Sequence, residues 1–242
     1  MKAQHKGRVF HFSGGPSSGL MVLQFYKPGD IVIFCDTGRE DPDTIRFVND
    51  FERENNIPIV KLGGDWRKDV IKKMQMIPNQ FKRQCTIQMK IKRARRYLRS
   101  IGWFRYTQYI GFRADEPNRV SEYTNMWQAV DTVFPLDEAG IVSEDVHNFW
   151  EPIPYRLKIP KILRNCDLCF LKGEAAMMAI IQDDPSKADK WIEDEENKEL
   201  NPKGYTYLKG GTIRQLRQLA MMSRKKYNLE DFSPKFNCSC TS

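Results

Sequence analysis

The hexapeptide Ser13-Gly14-Gly15-Pro16-Ser17-Ser18 constrains this chain more than any other feature, because it separates a strand-like run, Val9 to Phe12, from a helix-like run that begins Gly19-Leu20-Met21-Val22-Leu23. Two glycines let a backbone turn tightly around an anion, the following helix offers free N–H groups and its positive end, and the serines add hydroxyl donors. The segment therefore reads as a phosphate cradle, although a Gly-Gly turn with a serine cap also serves as a plain strand-to-helix connection. No Gly-Lys-Ser/Thr follows and no Gly-x-Gly-x-x-Gly spacing is present, which excludes two common phosphate loops.

Two further segments aim at the same place. Asp30 to Phe34 reads as a buried strand, and Cys35-Asp36-Thr37-Gly38-Arg39-Glu40 follows at its end, where open α/β sheets bind ligands. Farther on, Tyr109-Ile110-Gly111-Phe112 leads into Arg113 and Arg119 beside Asp115 and Glu116, a layout suited to gripping phosphate oxygens. Strand-like runs at 8–12, 30–35, 58–62 and 106–112 alternate with helical patterns such as Ile45, Val48 and Phe51. This alternation predicts an α/β fold with a doubly wound, mainly parallel sheet. Residues 141–181 read as mainly helical around the break Glu151-Pro152-Ile153-Pro154. After Asp183 comes an acidic segment containing Trp191, then, past Gly210-Gly211, a basic helix around Arg214, Arg217, Arg224, Lys225 and Lys226. The expected division is an α/β domain over 1–182 and a helical C-terminal region over 183–242.

These motifs carry a resemblance. The Ser13–Ser18 loop resembles the Ser-Gly-Gly-x-Asp-Ser loop of the adenine nucleotide alpha hydrolases, also called PP-loop ATP pyrophosphatases. Phe34 to Glu40, with Pro42, Thr44, Phe47 and Val48, is similar to the second motif of the PAPS (phosphoadenosine phosphosulfate) reductase-like family, as is Gly111-x-Arg113-Ala114-Asp115-Glu116-x-x-Arg119. The likeness continues through Pro135-Leu136, Val146 to Trp150 and Asn165 to Lys172, covers about residues 9 to 173, and is strongest toward the phage and mobile-element branch. It implies a HUP-like, Rossmann-like fold and an adenine nucleotide, ATP or else PAPS or adenosine phosphosulfate, with Mg2+. Adenine would lie near the backbone of Phe34 to Asp36 and the phosphates over Ser13, Gly14, Gly15, Ser17 and Ser18. Thr37, Gly38, Glu40 and Gly111 complete the binding set, and Ser18, Arg113, Asp115 and Arg119 form the catalytic set. In the ATP pyrophosphatases a substrate oxygen attacks the α-phosphate and pyrophosphate leaves, priming the substrate for a nitrogen or sulfur nucleophile. Ser17 stands where the common loop has Asp, so Asp36, Glu40 or Asp115 would have to supply the missing carboxylate.

The cysteines form a second constellation. Cys166 and Cys169 have a spacing that offers two thiolates to one metal, and Cys85 lies 81 residues earlier. Cluster-bearing sulfonucleotide reductases resemble this arrangement, which implies a [4Fe-4S] cluster on Cys85, Cys166, Cys169 and either Cys238 or Cys240. Tetrahedral zinc suits the same four thiolates. A redox pair is a further reading of Cys166 and Cys169, and Cys35 reads as an inert core residue. The tail cysteines also permit a reductive alternative, in which a C-terminal thiolate attacks the sulfate sulfur of PAPS or adenosine phosphosulfate. Against it, Asn237-Cys238-Ser239-Cys240 lacks the glycine and histidine of the tail those reductases share.

The chain carries a formal net charge of +8, and Val70 to Ala114 holds twelve Lys/Arg without one Asp/Glu, so the remainder is net −4. Ile91, Ala94, Leu98 and Ile101 predict an apolar helix face, with Lys92, Arg93, Arg95, Arg96 and Arg99 over the rest. The basic segment 82–105 is thus a candidate nucleic-acid surface, unless the substrate's own phosphates or plain solvent satisfy it. A third class of function follows, a non-catalytic nucleotide- or nucleic-acid-binding protein of a mobile element or defence system. The polar start, a mean hydropathy of −0.59 and the absence of a long apolar run predict a cytoplasmic protein with no membrane partner.

Overall fold

The computed structural model describes residues 5–126 and 130–232. Its centre is a five-stranded, all-parallel sheet built from β1 (His5–His11), β2 (Ile31–Cys35), β3 (Ile59–Leu62), β4 (Arg105–Ile110) and β5 (Asp131–Val133), in the order β3-β2-β1-β4-β5. The inner strand β2 is a continuous apolar run, Ile31-Val32-Ile33-Phe34-Cys35, because helices cover both faces, whereas β1 and β4 begin with polar residues and become apolar toward their ends. From β1 the chain winds outward to β3, then returns across the sheet to β4. The winding direction therefore reverses between β1 and β4, where a crevice opens at the strand ends. The short edge strand β5 was not among the expected strands; three residues beginning with Asp131 give almost no periodic signal.

Side chains alternate across the sheet and so select their helices. Phe10, Phe12, Val32 and Phe34 point to one face, where they pack with α1 (Pro16–Phe25), α2 (Pro42–Asn55) and α6 (Ser143–Trp150). Val9 and Ile33 point to the other, against Ala94 and Leu98 of α3 (Lys92–Ser100). The α2 face consists of Thr44, Phe47, Val48 and Phe51, with Ile45 at its margin. Ile101 departs from the expected apolar face: α3 ends at Ser100, Gly102 turns the chain with φ +80°, and Ile101 is left 43% exposed. After β4 come α4 (Pro117–Met126) and α5 (Pro135–Glu138).

Residues 151–173 correct the expectation of a mainly helical stretch, since only short 3-10 turns at Lys161–Leu163 and Phe170–Lys172 interrupt irregular chain. Pro152, Pro154 and Pro160 remove backbone donors and push the preceding residues into extended conformations. Beyond them, α7 (Glu174–Asp183), α8 (Asp189–Glu196) and α9 (Ile213–Met222) build a second core with Trp66, Val70, Ile71, Ile77 and Met89. The last four of those residues lie on or near two π-helical turns, Arg67–Lys72 and Thr86–Ile91. Trp191 is fully inside this core. The acidic and basic segments seen in the sequence neutralise each other here, Arg214 pairing with Glu196 at 2.6 Å and Arg217 with Asp189 at 2.6 Å. The basic helix ends at Met222, so Arg224, Lys225 and Lys226 follow it rather than extend it. Among the described residues no helix is long and apolar enough to cross a membrane.

Candidate functional site

Three strand-end loops and one later loop converge at the sheet reversal. After β1, Gly14 takes φ +77°, and a Cβ there would sit 2.7 Å from Thr44 Cγ2, so only glycine fits. Gly15 is the helix N-cap, Pro16 opens α1, and a Cβ on Gly15 would meet only Ser13 Oγ at 3.3 Å. Ser18 is fully buried and closes the turn. Its hydroxyl accepts from Ser13 N–H at 3.1 Å, lies 3.0 Å from Ser13 Oγ, and donates to Gly15 C=O at 3.0 Å. Trp150 braces the helix start by donating from Nε1 to Pro16 C=O at 2.9 Å, and its ring fills the space beside Gly19. The first-turn amides of α1 thus face a rigid, concave turn.

The β4 loop presses directly on that turn. A Cβ on Gly111 would come within 3.0 Å of Ser18 Cα and 3.1 Å of Ser18 N, a backbone approach that requires glycine. Two residues later, Arg113 donates to Ser17 Oγ at 2.9 Å and to Asp115 at 2.8 Å, while Glu116 lies 3.3 Å away. Arg119 pairs with Glu116 at 2.6 Å and stacks its guanidinium on Phe112, 4.1 Å from the ring centroid. Arg113, Asp115, Ser17 and the cradle are therefore neighbours, whereas Arg119 is held against Phe112 and Glu116.

The β2 loop is wired to itself. Asp36 accepts from Gly38 N–H at 2.6 Å, and Glu40 accepts from Thr37 N–H at 2.9 Å and Thr37 Oγ1 at 2.8 Å. Burial pushes the Glu40 carboxyl above its usual range, and the nearby Lys90 ammonium offsets part of that. The Cys-x-x-Cys loop docks here: Glu40 and Cys166 form an antiparallel bridge, Asp167 N–H donates to Arg39 C=O at 2.8 Å, and Cys166 Sγ lies 3.7 Å from Thr37 Oγ1. Cys85 and Cys169 border the same second core in which Cys166 is buried. Cys238 and Cys240 lie outside the described residues, and among those described no group of three or more His, Cys, Asp or Glu side chains could hold a metal ion. Cys35 donates to Lys90 C=O at 3.8 Å, and burial pushes its thiol up to about 11, as an inert core cysteine requires.

Three residues of this region escaped the motif reading. Arg39 is buried between the rings of Trp66 and Trp191 and pairs with Asp194, which also accepts from Tyr207 Oη at 2.9 Å and from Arg67 Nε at 2.6 Å. Lys90 is buried near Glu40 and Cys35. Arg164, two residues before Cys166, is half-buried; desolvation and the field of Arg113 lower its pKa to about 10. No repeated spacing marks any of them, so pattern alone offered no signal.

The basic segment divides in two. Arg93 turns inward to Asp69 at 2.5 Å and Lys90 is buried, whereas Lys92, Arg96, Arg99 and Arg105 stay exposed. Arg95, Arg99 and Arg105 line an open pocket of about 220 Å³ with Trp103, Phe104, Tyr106 and Asp131. Arg105 and Asp131 begin β4 and β5, so this pocket lies at the opposite end of the sheet from the cradle.

A doubly wound sheet with a Ser-Gly-Gly turn at its reversal defines a nucleotide-binding α/β protein. Residues 8–149 match the family model of the phosphoadenosine phosphosulfate reductase domain, and the chain belongs to that family. An uncharacterized nin region protein, ORF290, of Escherichia phage lambda is 28% identical over 197 residues, 68% of this chain and 66% of the phage protein. The match thus spans just under two thirds of that relative's length. Among solved structures, the U34-tRNA thiolase NcsA from Methanococcus maripaludis with its [4Fe-4S] cluster aligns with a TM-score of 0.46 at 16% identity, covering 99% of this chain and 82% of that one.

Proposed function

We propose that this chain binds an adenine nucleotide across the ends of β1, β2 and β4 and cleaves ATP at the α-phosphate, releasing pyrophosphate and leaving an adenylated substrate. The observation that carries the reading is the junction of cradle and arginine: Gly111 touches the Ser18 backbone, and Arg113 reaches Ser17 Oγ at 2.9 Å. A substrate oxygen would form the new bond to the α-phosphorus as the bond to the bridging oxygen breaks and pyrophosphate departs with it. The turn amides and Arg113 would orient the phosphates and neutralise developing charge, so no side-chain nucleophile is required. Asp36 and Asp115 already accept hydrogen bonds from Gly38 and Arg113, and Glu40 from Thr37. Accepting a hydrogen bond orients a carboxylate without using up its oxygens, so these three would be the groups to hold a magnesium ion, which would neutralise phosphate charge when bound. Incubation with ATP and separation of products is the test: AMP and pyrophosphate are expected, and their absence together with ADP formation would overturn the reading.

Cys85, Cys166 and Cys169, completed by Cys238 or Cys240, are proposed as a metal set, [4Fe-4S] or zinc. The Cys-x-x-Cys spacing supports it, and since Cys85, Cys166 and Cys169 form no ligand group among the described residues, they would have to draw together around the ion. Iron and zinc content measured before and after Cys166→Ser decides the matter. A nucleic acid is the proposed partner of the exposed arginines on α3 and at the start of β4. Their distance from the cradle argues against the nucleotide's phosphates as their counter-charge.

A further inference from the structure

An exposed cation is ordinary and so is a single exposed ring, but a ring, several cations and an acid around one pocket are not. The open pocket of about 220 Å³ at the far end of the sheet is such a place. Trp103 forms one wall, its ring so close to Gly7 that a Cβ there would lie 3.0 Å away, and Arg95 holds another by donating to the Tyr106 hydroxyl. Phe104, in the turn between α3 and β4, lines the same pocket and is 63% exposed. Arg99, Arg105 and Asp131 line it too, and none of the three makes an ion pair among the described residues. The positive charge continues outside the pocket. Lys92, Arg96 and Arg99 stand at i, i+4 and i+7 on α3, all exposed, and form a stripe about 10 Å long that ends at the pocket. The negative end of the helix dipole accounts for Arg99 there, but not for the exposed ring or the acid.

We propose that this pocket takes one unpaired base of a single-stranded nucleic acid, stacked on Phe104, with the flanking phosphates on Arg99 and Arg105 and the strand continuing along Arg96 and Lys92. The assignment rests on the nucleic-acid reading of the basic segment above and is independent of the ATP reading. A duplex keeps the faces of its bases stacked inside and would leave Phe104 in water, whereas an unpaired base has a free face to lay on the ring. Sites that enclose drug-sized ligands run to about 300–1,000 Å³. This pocket is smaller, which suits one flat base with its sugar and phosphate outside. Asp131 repels phosphate, so it must meet another part of the ligand: its carboxylate finds an exocyclic amino donor on cytosine, adenine or guanine and none on thymine or uracil. A free mononucleotide would leave Lys92 and Arg96 without a counter-charge, so the stripe selects a polymer.

The test measures binding of oligo-dC, oligo-dT and oligo-rC of about 12 nucleotides, of a DNA duplex of the same length, and of cytidine monophosphate. Each is titrated against the full chain and against Phe104→Ala, Phe104→Tyr and Asp131→Asn, with ATP binding as the control. Loss of one base–aromatic stack predicts that Phe104→Ala weakens the single strands by about 5- to 150-fold while the duplex changes less than about twofold. Phe104→Tyr keeps the ring and should restore single-strand binding. Oligo-dC should bind more tightly than oligo-dT, and Asp131→Asn should narrow that gap, because an amide also donates to a base carbonyl. The pair oligo-dC and oligo-rC tells DNA from RNA as the source of the strand. Equal binding of single strands and duplex, or no loss in Phe104→Ala, overturns the proposal while leaving the nucleic-acid reading intact. Equal affinity for oligo-dC and oligo-dT overturns the role of Asp131. Cytidine monophosphate bound as tightly as oligo-dC, with the same dependence on Phe104, would make the ligand a small nucleotide and overturn the strand. Failure of the parent protein to bind any of these oligonucleotides overturns both readings.

Discussion

The two ends of the sheet both gather arginine, but they treat it differently. At the strand ends that meet the cradle, Arg113 and Arg119 are held by Asp115 and Glu116, and Arg39 is locked between two indoles onto Asp194. At the far end Arg99 and Arg105 make no ion pair among the described residues and border an exposed ring, Phe104. The contrast teaches that a cation's neighbours reveal its task. Pairing with carboxylates fixes a guanidinium at one position for a single small ligand, whereas an exposed and unpaired cluster suits a long, variable polyanion.

The largest expected effect attacks the support of the crevice end. Asp194→Ala leaves Arg39 buried without its partner and removes one acceptor of Arg67, so stability should fall by about 3–5 kcal/mol. Denaturant unfolding measures it, and a loss below about 1 kcal/mol would mean that the buried pair does not hold this end together. Next comes His11, at the end of β1, where burial holds the imidazole pKa down at about 4 against an ordinary value of 6.5. The unfolded chain then binds the proton more readily, so the contribution is fully present above pH 6.5 and is lost as pH falls toward 4, by up to about 3 kcal/mol. His11→Gln should flatten the stability profile across that window; an unchanged slope would place the titrating group elsewhere.

A smaller effect separates the two ends functionally. Arg113→Lys should weaken ATP binding by about tenfold, because a point charge cannot span Ser17 and the ligand as the planar fork does. The same change should leave nucleic-acid binding untouched. Conversely, replacing Arg96, Arg99 and Arg105 with serine should lower the salt dependence of nucleic-acid binding by about 0.9 for each phosphate no longer neutralised, with no change in ATP affinity. If either variant affects both ligands, the two ends share one site and the contrast fails.

Much of the crevice was legible because phosphate loops depend on short, local patterns. Ser13-Gly14-Gly15, Asp36 to Glu40 and Gly111 to Arg119 announce themselves by glycine placement after strands whose last residues are largely apolar, β2 throughout its length. The burial of Val32, Ile33 and Phe34 follows from that same composition. Arg39 was illegible for the opposite reason. Its partner Asp194 lies 155 residues away, and nothing beside it in the chain signals burial. The basic segment misled in a similar way. Arg93 looked like part of an exposed stripe, yet Asp69, one residue before the acid-free stretch, draws it inward. β5 and the π-helical turns escaped because three- and six-residue elements carry no usable period.

The bridge between Glu40 and Cys166, with the Asp167 N–H to Arg39 C=O bond beside it, joins two loops through the main chain, next to the side-chain contact of Thr37 Oγ1 with Cys166 Sγ. A side-chain exchange leaves the main-chain part of this seam in place, but many exchanges can strain it. Substitutions in 36–40 and in 164–169 will therefore not behave as independent perturbations, and their free energies should fail to add in a double-mutant cycle. An alanine scan that treats the β2 loop as one unit and the Cys-x-x-Cys loop as another would divide a single cooperative object, and would credit each half with the strain transmitted from the other.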